Sequence, residues 1–215
     1  MAIDIVVHLK LTSFLLYIAK IMRRVDAECL LGYIMAFNIG NQAPDFTLPN
    51  AHPSMGAPEI NLGDVMGDRG AIVVFSCLHC PYVVGNIGRI EGLAQRAGEN
   101  GLGFVAINSN AANPDYASDS AQRTTEACER GVPYPFLIDT DQSVSKAWGA
   151  ERTPEFYLLD GNGSLVYRGR YDDSPTNPQM ATTSDMMDAL DQYLAGESVQ
   201  NPQTDSIGCS VKWIF

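Results

Sequence analysis

Gly70-Ala71-Ile72-Val73-Val74-Phe75 is an unbroken apolar, β-branched run opened by a glycine, the pattern of a strand buried on both faces. Downstream, Val84, Ile87, Ile90 and Leu93 recur every three residues, the spacing of one helix face, and Gly98-Glu99-Asn100-Gly101 ends that helix. Phe104–Asn108 and Pro135–Ile138 read as two more strands, with a helix over about 115–130 between them that stops at Gly131. A short helix follows over Gln142–Trp148. Ahead of all these, Gly40–Asn50 alternates around Phe46 and Leu48 as an edge strand, and Ile60 and Leu62 mark its partner. Glu155–Leu159 and Ser164–Arg168 flank Asp160-Gly161-Asn162-Gly163, a strong hairpin signal. The last helix spans Ser184–Leu194, with Met187, Leu190 and Leu194 on one face.

Crossover units followed by an antiparallel hairpin predict an α/β fold: a central mixed sheet with helices on both faces. At 215 residues, 46% hydrophobic and 18% charged, the chain has the composition of one globular domain with additions. The expected division is an N-terminal extension over 1–37, a domain over 38–198 and a tail over 199–215. In the extension, Lys10 and Lys20 bracket nine residues, half of what a membrane-spanning helix needs. No clear signal peptide is read there, so a cytoplasmic protein without a stable membrane span is expected. Leu11, Phe14, Ile18 and Ile21 fit an amphipathic helix, and Met35 is an alternative start; Cys29 is given no role. A net charge of −11 argues against nucleic acid as a partner. Five cysteines without even spacing argue against a disulfide-stapled fold.

The chemistry concentrates where the buried strand hands over to its helix, at Cys77-Leu78-His79-Cys80-Pro81. A C-x-x-C at such a junction is a redox dithiol signature. Cys80 falls near the helix N-terminus, with Pro81 tolerated in the first turn, and free N–H groups there favour a thiolate. The turn ahead of the helix makes Cys77 the expected exposed, lower-pKa thiol that attacks, with Cys80 shielded and resolving. His79 is expected to stabilise the Cys77 thiolate, set against an ordinary surface histidine. A closed zinc site needs four ligands. Cys128 and Cys209 are single, and His8 and His52 lie far off, so neither metal nor organic cofactor is expected. Cys128 reads as a small buried hydrophobe.

The C-x-x-C after the first central strand and Thr153-Pro154 just before the hairpin together resemble the thioredoxin fold. Ala43-Pro44-Asp45-Phe46-Thr47-Leu48 resembles the opening of the redoxins, the peroxiredoxin and alkyl-hydroperoxide-reductase branch. The nearest resemblance is to a peroxiredoxin-like subgroup of the alkyl hydroperoxide reductase/thiol-specific antioxidant family. It shares Cys-x-His-Cys-Pro-Tyr-Val (Cys77–Val83), the Tyr-Arg-Gly-Arg-x-Asp-Asp segment (Tyr167–Asp173) and the Gly-Cys-Ser-x-Lys-Trp ending (Gly208–Trp213). Aligned on a peroxidatic cysteine at Cys80, the chain departs from the peroxiredoxin pattern: Val73 replaces its proline and Cys77 its threonine. It departs from thioredoxins too, with Ser76 in place of tryptophan.

The resemblance implies a thiol–disulfide oxidoreductase with site residues Cys77, Cys80, His79, Thr153 and Pro154. The Thr153–Pro154 bond is implied to be cis and to expose a backbone edge to which a substrate segment pairs. Disulfide-forming oxidases of this fold carry His at the position of His79, which implies a couple between about −270 and −120 mV, the limits of the fold. Implied partners are protein or small-molecule disulfides and thiols, with a thioredoxin-type reductant among them. Two alternatives stand beside this: a thiol peroxidase with Cys80 as the attacking thiol, and a non-catalytic redoxin-fold interaction module. Arg152 is read as a surface charge. Cys209 is read mainly as part of a tail packed through Val211 and Trp213, with a resolving role as the alternative.

Overall fold

The computed structural model describes residues 37–214. The amphipathic helix, the alternative start and Cys29 lie outside the described residues. The central sheet has five strands: β3 (Ala71–Ser76), β4 (Gly103–Asn108), β5 (Phe136–Ile138), β7 (Glu155–Leu159) and β8 (Leu165–Gly169). Their order is β5-β4-β3-β7-β8, with β3, β4 and β5 parallel and β7 antiparallel to both of its neighbours, β3 and β8. This is the mixed sheet expected from the sequence. β3 is central and buried along its whole length, as its unbroken apolar run requires.

Alternate β3 side chains serve two cores. Ile72 and Val74 face a layer that includes Ile90 and Leu93 of α3 (Ile87–Glu99), Cys128 of α4 (Ala121–Cys128), and Met186 and Leu190 of α6 (Asp185–Leu194). Val73 and Phe75 face the other layer. There they meet Val144 and Trp148 of α5 (Ser143–Trp148), α1 (Leu62–Val65), and the ribbon of β1 (Thr47–Pro49) with β2 (Glu59–Asn61). Both cysteines of the dithiol belong to the first layer.

The helix after the dithiol is not continuous. A one-turn α2 (Pro81–Val84) ends at Gly85, and α3 begins after Asn86. Val84 and Ile87, expected on the buried face, are 53% and 44% exposed, while Val83, Ile90 and Leu93 are buried. A Cβ on Gly85 would lie 2.7 Å from the Pro175 carbonyl oxygen, so the 172–176 loop comes close only beside a glycine. Arg89 clamps that loop by pairing with Asp172 and donating to the Pro175 carbonyl at 2.6 Å. The helix expected over 115–130 is likewise divided, into a 3-10 turn (Pro114–Asp119) and α4, whose N-cap Ser120 accepts from the Arg123 N–H.

A two-stranded ribbon was not legible in the sequence. β6 (Arg152–Thr153) pairs antiparallel with β9 (Cys209–Ser210), Thr153 facing Cys209. Among the described residues, no helix is long and apolar enough to cross a membrane.

Trp148 locks the layer behind the sheet. It is fully buried, its ring meets Phe37, Phe46, Phe75 and Tyr157 at 5.0–6.1 Å, and its indole N–H donates to the Pro44 carbonyl at 3.0 Å. Trp148→Ala is expected to cost ~3–5 kcal/mol. Urea denaturation should show a lower midpoint at unchanged slope; an unchanged midpoint would remove Trp148 from the core account.

Candidate functional site

β3 ends at Ser76, and the chain turns through Cys77, Leu78 and His79 before Cys80 caps α2. Asp119, fully buried at the end of the 3-10 turn, holds this turn in place. Its Oδ1 accepts the N–H groups of Leu78 and His79 at 2.8 and 2.9 Å. Its Oδ2 accepts from Asn110 Nδ2 at 3.0 Å and pairs with His79 Nδ1 at 2.5 Å. Asn108, at the end of β4, donates from Nδ2 to the Asp119 carbonyl at 2.7 Å. The His79 ring also lies 5.0 Å from that of Tyr116. The histidine expected to serve a sulfur is committed to a carboxylate instead.

The opposite wall is Thr153–Pro154, joined by a cis peptide bond as the resemblance implied. Thr153 touches both cysteines: its Oγ1 lies 3.4 Å from the Cys77 sulfur, and its carbonyl oxygen 3.1 Å from the Cys80 sulfur. Buried Glu155 fixes this segment from below. It accepts the N–H groups of Glu151 and Arg152 at 2.8 and 3.1 Å and pairs with Arg168 at 3.0 Å. Arg152 itself is exposed, its guanidinium 3.4 Å from the Gly208 carbonyl oxygen. The sequence-expected residues Cys77, Cys80, His79, Thr153 and Pro154 are thus brought together. Asp119 joins them without a signal in the sequence, and Cys209, read there mainly as tail packing with a resolving role as the alternative, joins them too.

The exposure expected of Cys77 is not found, and the surroundings of the pair favour charge on Cys80 over Cys77. Both sulfurs are buried, at 1% exposure for Cys77 and none for Cys80, so Cys77 is not the exposed thiol. Hydrogen bonds to the Cys80 sulfur, first from the Cys77 thiol and then from the Cys209 thiol and the Cys209 and Val83 N–H groups, hold it down to about 4 against burial. The Thr153 carbonyl accepts the Cys80 S–H and opposes ionisation, but the four donors outweigh it. Cys77 is pushed far up because its proton is engaged by Cys80, because it is buried, and because the Asp119 carboxylate is near. The helix N–H groups serve the residue that caps the helix, while the residue in the turn faces a negative charge. Burial pushes the Cys128 thiol up to about 11, in keeping with a buried hydrophobe. Cys77, Cys80, Cys128 and Cys209 are all free thiols.

Beside Cys77 opens a cavity of about 310 Å³ lined by Leu78, Val83, Ile87, Ile90 and Phe136, with Glu91 and Arg130 among its polar groups. The Cys77 sulfur, a His79 ring nitrogen and an Asp119 oxygen lie within 4.8 Å of one another, three ligand types suited to a divalent cation. The fit is poor. Both Asp119 oxygens already accept two hydrogen bonds each, and a closed tetrahedral site needs a fourth ligand.

A family model described as Redoxin matches residues 38–190. A conserved protein of Geobacillus kaustophilus is 39% identical, with 83% of this chain and 93% of that one covered and a TM-score of 0.75. A hypothetical protein of Sinorhizobium meliloti 1021 is 36% identical, with 83% and 96% covered and a TM-score of 0.73. A Chlorobium tepidum protein described as a thiol:disulfide interchange protein, DsbE, is 18% identical over 75% of this chain and 98% of that one, with a TM-score of 0.52, and shares the fold. No curated protein matches the chain. With its mixed sheet, its cis-proline wall and a family model matched over most of its length, the chain belongs to the Redoxin family.

Proposed function

We propose that the protein is a thiol–disulfide oxidoreductase that works through Cys80 and Cys77, with the thiolate on Cys80. One observation carries this reading: both sulfurs lie against Thr153, its hydroxyl 3.4 Å from Cys77 and its carbonyl 3.1 Å from Cys80, beside a cis-proline. The thiolate is the nucleophile of disulfide exchange. Cys80–S⁻ attacks a substrate disulfide; a Cys80–substrate S–S bond forms, the substrate S–S bond breaks, and one substrate thiolate leaves. Cys77 then gives its proton to the Asp119–His79 pair, within 4.8 Å of its sulfur, and attacks Cys80. The Cys77–Cys80 disulfide forms and the second substrate thiolate departs. The protein is oxidised by two electrons and the substrate reduced; the same steps in reverse oxidise a dithiol.

A thiol peroxidase with Cys80 as the attacking thiol is the second reading, favoured by the low pKa of Cys80. Against it, Val73 and Cys77 stand where the family pocket has proline and threonine, and Arg152 points to the Gly208 carbonyl. Protein or small-molecule disulfides are the substrates of the first reading, and a thioredoxin-type reductant is a fitting donor.

The assignment of charge is tested by acid titration of the ultraviolet thiolate absorbance. One thiolate per chain should disappear near pH 4 in the reduced protein and in Cys77→Ser, whose hydroxyl still donates, and be missing from Cys80→Ser. If Cys80→Ser keeps that transition and Cys77→Ser loses it, Cys77 is the attacker. Asp119→Asn removes both the charge that raises the Cys77 pKa and the proton acceptor. The Cys77 pKa should fall, and mixed disulfides should resolve ~10²-fold more slowly in single-turnover quench experiments. Unchanged resolution with an unchanged pH profile would leave Asp119 a purely structural role. Oxidation by hydrogen peroxide, followed by stopped flow, should proceed at the rate of an ordinary thiolate. A rate several orders faster would promote the peroxidase reading.

A further inference from the structure

The backbone edge beside the cis-proline is occupied. An extended substrate segment would add to the Arg152–Thr153 edge by main-chain pairing, the usual way a peptide joins a sheet edge. Here the chain's own β9 is paired there, antiparallel, with Thr153 opposite Cys209 and Arg152 opposite Ser210. The approach is close enough to require a glycine. A Cβ on Gly208 would lie 2.2 Å from the Thr153 carbonyl oxygen and 3.2 Å from the Pro154 nitrogen.

The tail is docked by directed bonds, not loosely draped. The Val211 N–H donates to the Glu151 carbonyl at 3.0 Å and the Lys212 N–H to Asn110 Oδ1 at 3.0 Å. Gln142 brackets the end, donating to the Lys212 carbonyl at 2.8 Å and accepting from the Ile214 N–H at 2.8 Å. Val211 is buried, and Lys146 lies over the Trp213 ring at 5.8 Å. This sets half-buried Cys209 opposite Thr153, whose carbonyl oxygen lies 3.1 Å from the Cys80 sulfur, and packs it against the cluster that holds both Cys77 and Cys80.

We propose that Cys209 is a third redox thiol of this site, delivered to Cys80 by the C-terminal strand in the place of a substrate strand, and that it exchanges with Cys77 as the partner of Cys80. The inference rests on the thiol–disulfide reading above. When Cys80 carries a substrate sulfur, Cys209 loses its proton to solvent and attacks the Cys80 sulfur. The Cys80–Cys209 bond forms, the Cys80–substrate bond breaks, and the substrate leaves as a thiolate. Cys77 can then attack Cys80 in turn, forming Cys77–Cys80 and returning Cys209 as a thiol. Both routes remove two electrons from the protein. The timing follows from the charges. With Cys80 a thiolate, burial and the bond to Cys80 raise the Cys209 pKa to about 11, so Cys209 donates a hydrogen bond. Once Cys80 is bound in a disulfide that charge is gone, and Lys212 and Arg152 remain to favour the Cys209 thiolate.

The test uses 5,5′-dithiobis(2-nitrobenzoate) on the full chain in a Cys29→Ser background, with Cys128 buried. Cys77→Ser should release two equivalents of thionitrobenzoate, the second at a rate independent of reagent concentration, and peptide mapping should find a Cys80–Cys209 disulfide. Cys77→Ser/Cys209→Ser should release one equivalent and keep the adduct on Cys80. Gly208→Val, added to Cys77→Ser, should push the strand from the edge and abolish the fast second release. Should Cys77→Ser hold a stable adduct after one equivalent, or release the second in proportion to reagent with both thiols labelled, Cys209 is not a partner of Cys80. Cys209→Ser with Cys77 intact tests the parent reading separately: failure to close Cys77–Cys80 there sinks the dithiol mechanism, whatever Cys209 does.

Discussion

A buried carboxylate has to be satisfied before anything else at this site can hold its shape. Asp119 takes two backbone N–H groups and a ring nitrogen from the dithiol turn, and an amide from Asn110. A hydrogen bond to a charged group contributes about 1.5–3 kcal/mol. Removing a partner from a buried charge costs about 3–5 kcal/mol. The turn between the cysteines is thus fixed by the need to pair a charge more than by the cysteines themselves. The same charge bears on the thiols. After the hydrogen bond with Cys80 and burial, it is the next influence that raises the Cys77 pKa, while hydrogen bonds to the Cys80 sulfur lower that of Cys80.

The second wall is built on the same physics. Glu155 is buried beneath Thr153–Pro154 and is satisfied by Arg168, two backbone N–H groups and the Tyr157 hydroxyl. Arg168 is held in turn by the Gly149 carbonyl at 3.0 Å and lies over the Tyr157 ring at 5.3 Å. The segment Tyr167–Asp173, which carried part of the family resemblance, acts as a set of clamps. Arg168 holds the cis-proline segment, Arg170 pairs with Asp185 of α6, and Asp172 pairs with Arg89 of α3. One stretch of chain ties the site wall to two helices.

What the sequence could reveal was what depends on local pattern. The unbroken apolar run of β3, the β7–β8 hairpin and the mixed order of elements follow from periodicity and turn residues, and the structure has them. The break between α2 and α3 was hidden, because a step of three fits a helix face, while the loop that packs on Gly85 at the break comes from about ninety residues downstream. Position in the turn says little about which of Cys77 and Cys80 carries the charge, for a related reason. Local order places both near helix N–H groups, but Asp119 and Cys209, which add to the effect of the bond between the two cysteines, arrive from 42 residues after Cys77 and 129 residues after Cys80 (119 − 77 and 209 − 80). A pKa belongs to the assembled site, not to the motif.

Asn110 joins the carboxylate and the tail into one unit. Its amide nitrogen donates to Asp119 and its oxygen accepts from the Lys212 N–H, so the group that fixes the dithiol turn also fixes the strand that carries Cys209. Linkage then couples the tail to the redox state of the pair. On the proposed reading, with the thiolate on Cys80, two of its donors come from Cys209, and they lose their acceptor charge when Cys80 enters a disulfide. A docked tail therefore favours the reduced dithiol, and by reciprocity the reduced dithiol favours a docked tail. Oxidation weakens the hold of the Cys80 sulfur on β9 while leaving the Val211 and Lys212 bonds in place. The edge beside the cis-proline is thus held most firmly when Cys80 is a free thiolate, the state in which it would meet a substrate. An incoming chain has to compete with β9 for that edge, whereas a small disulfide has to reach only the sulfur.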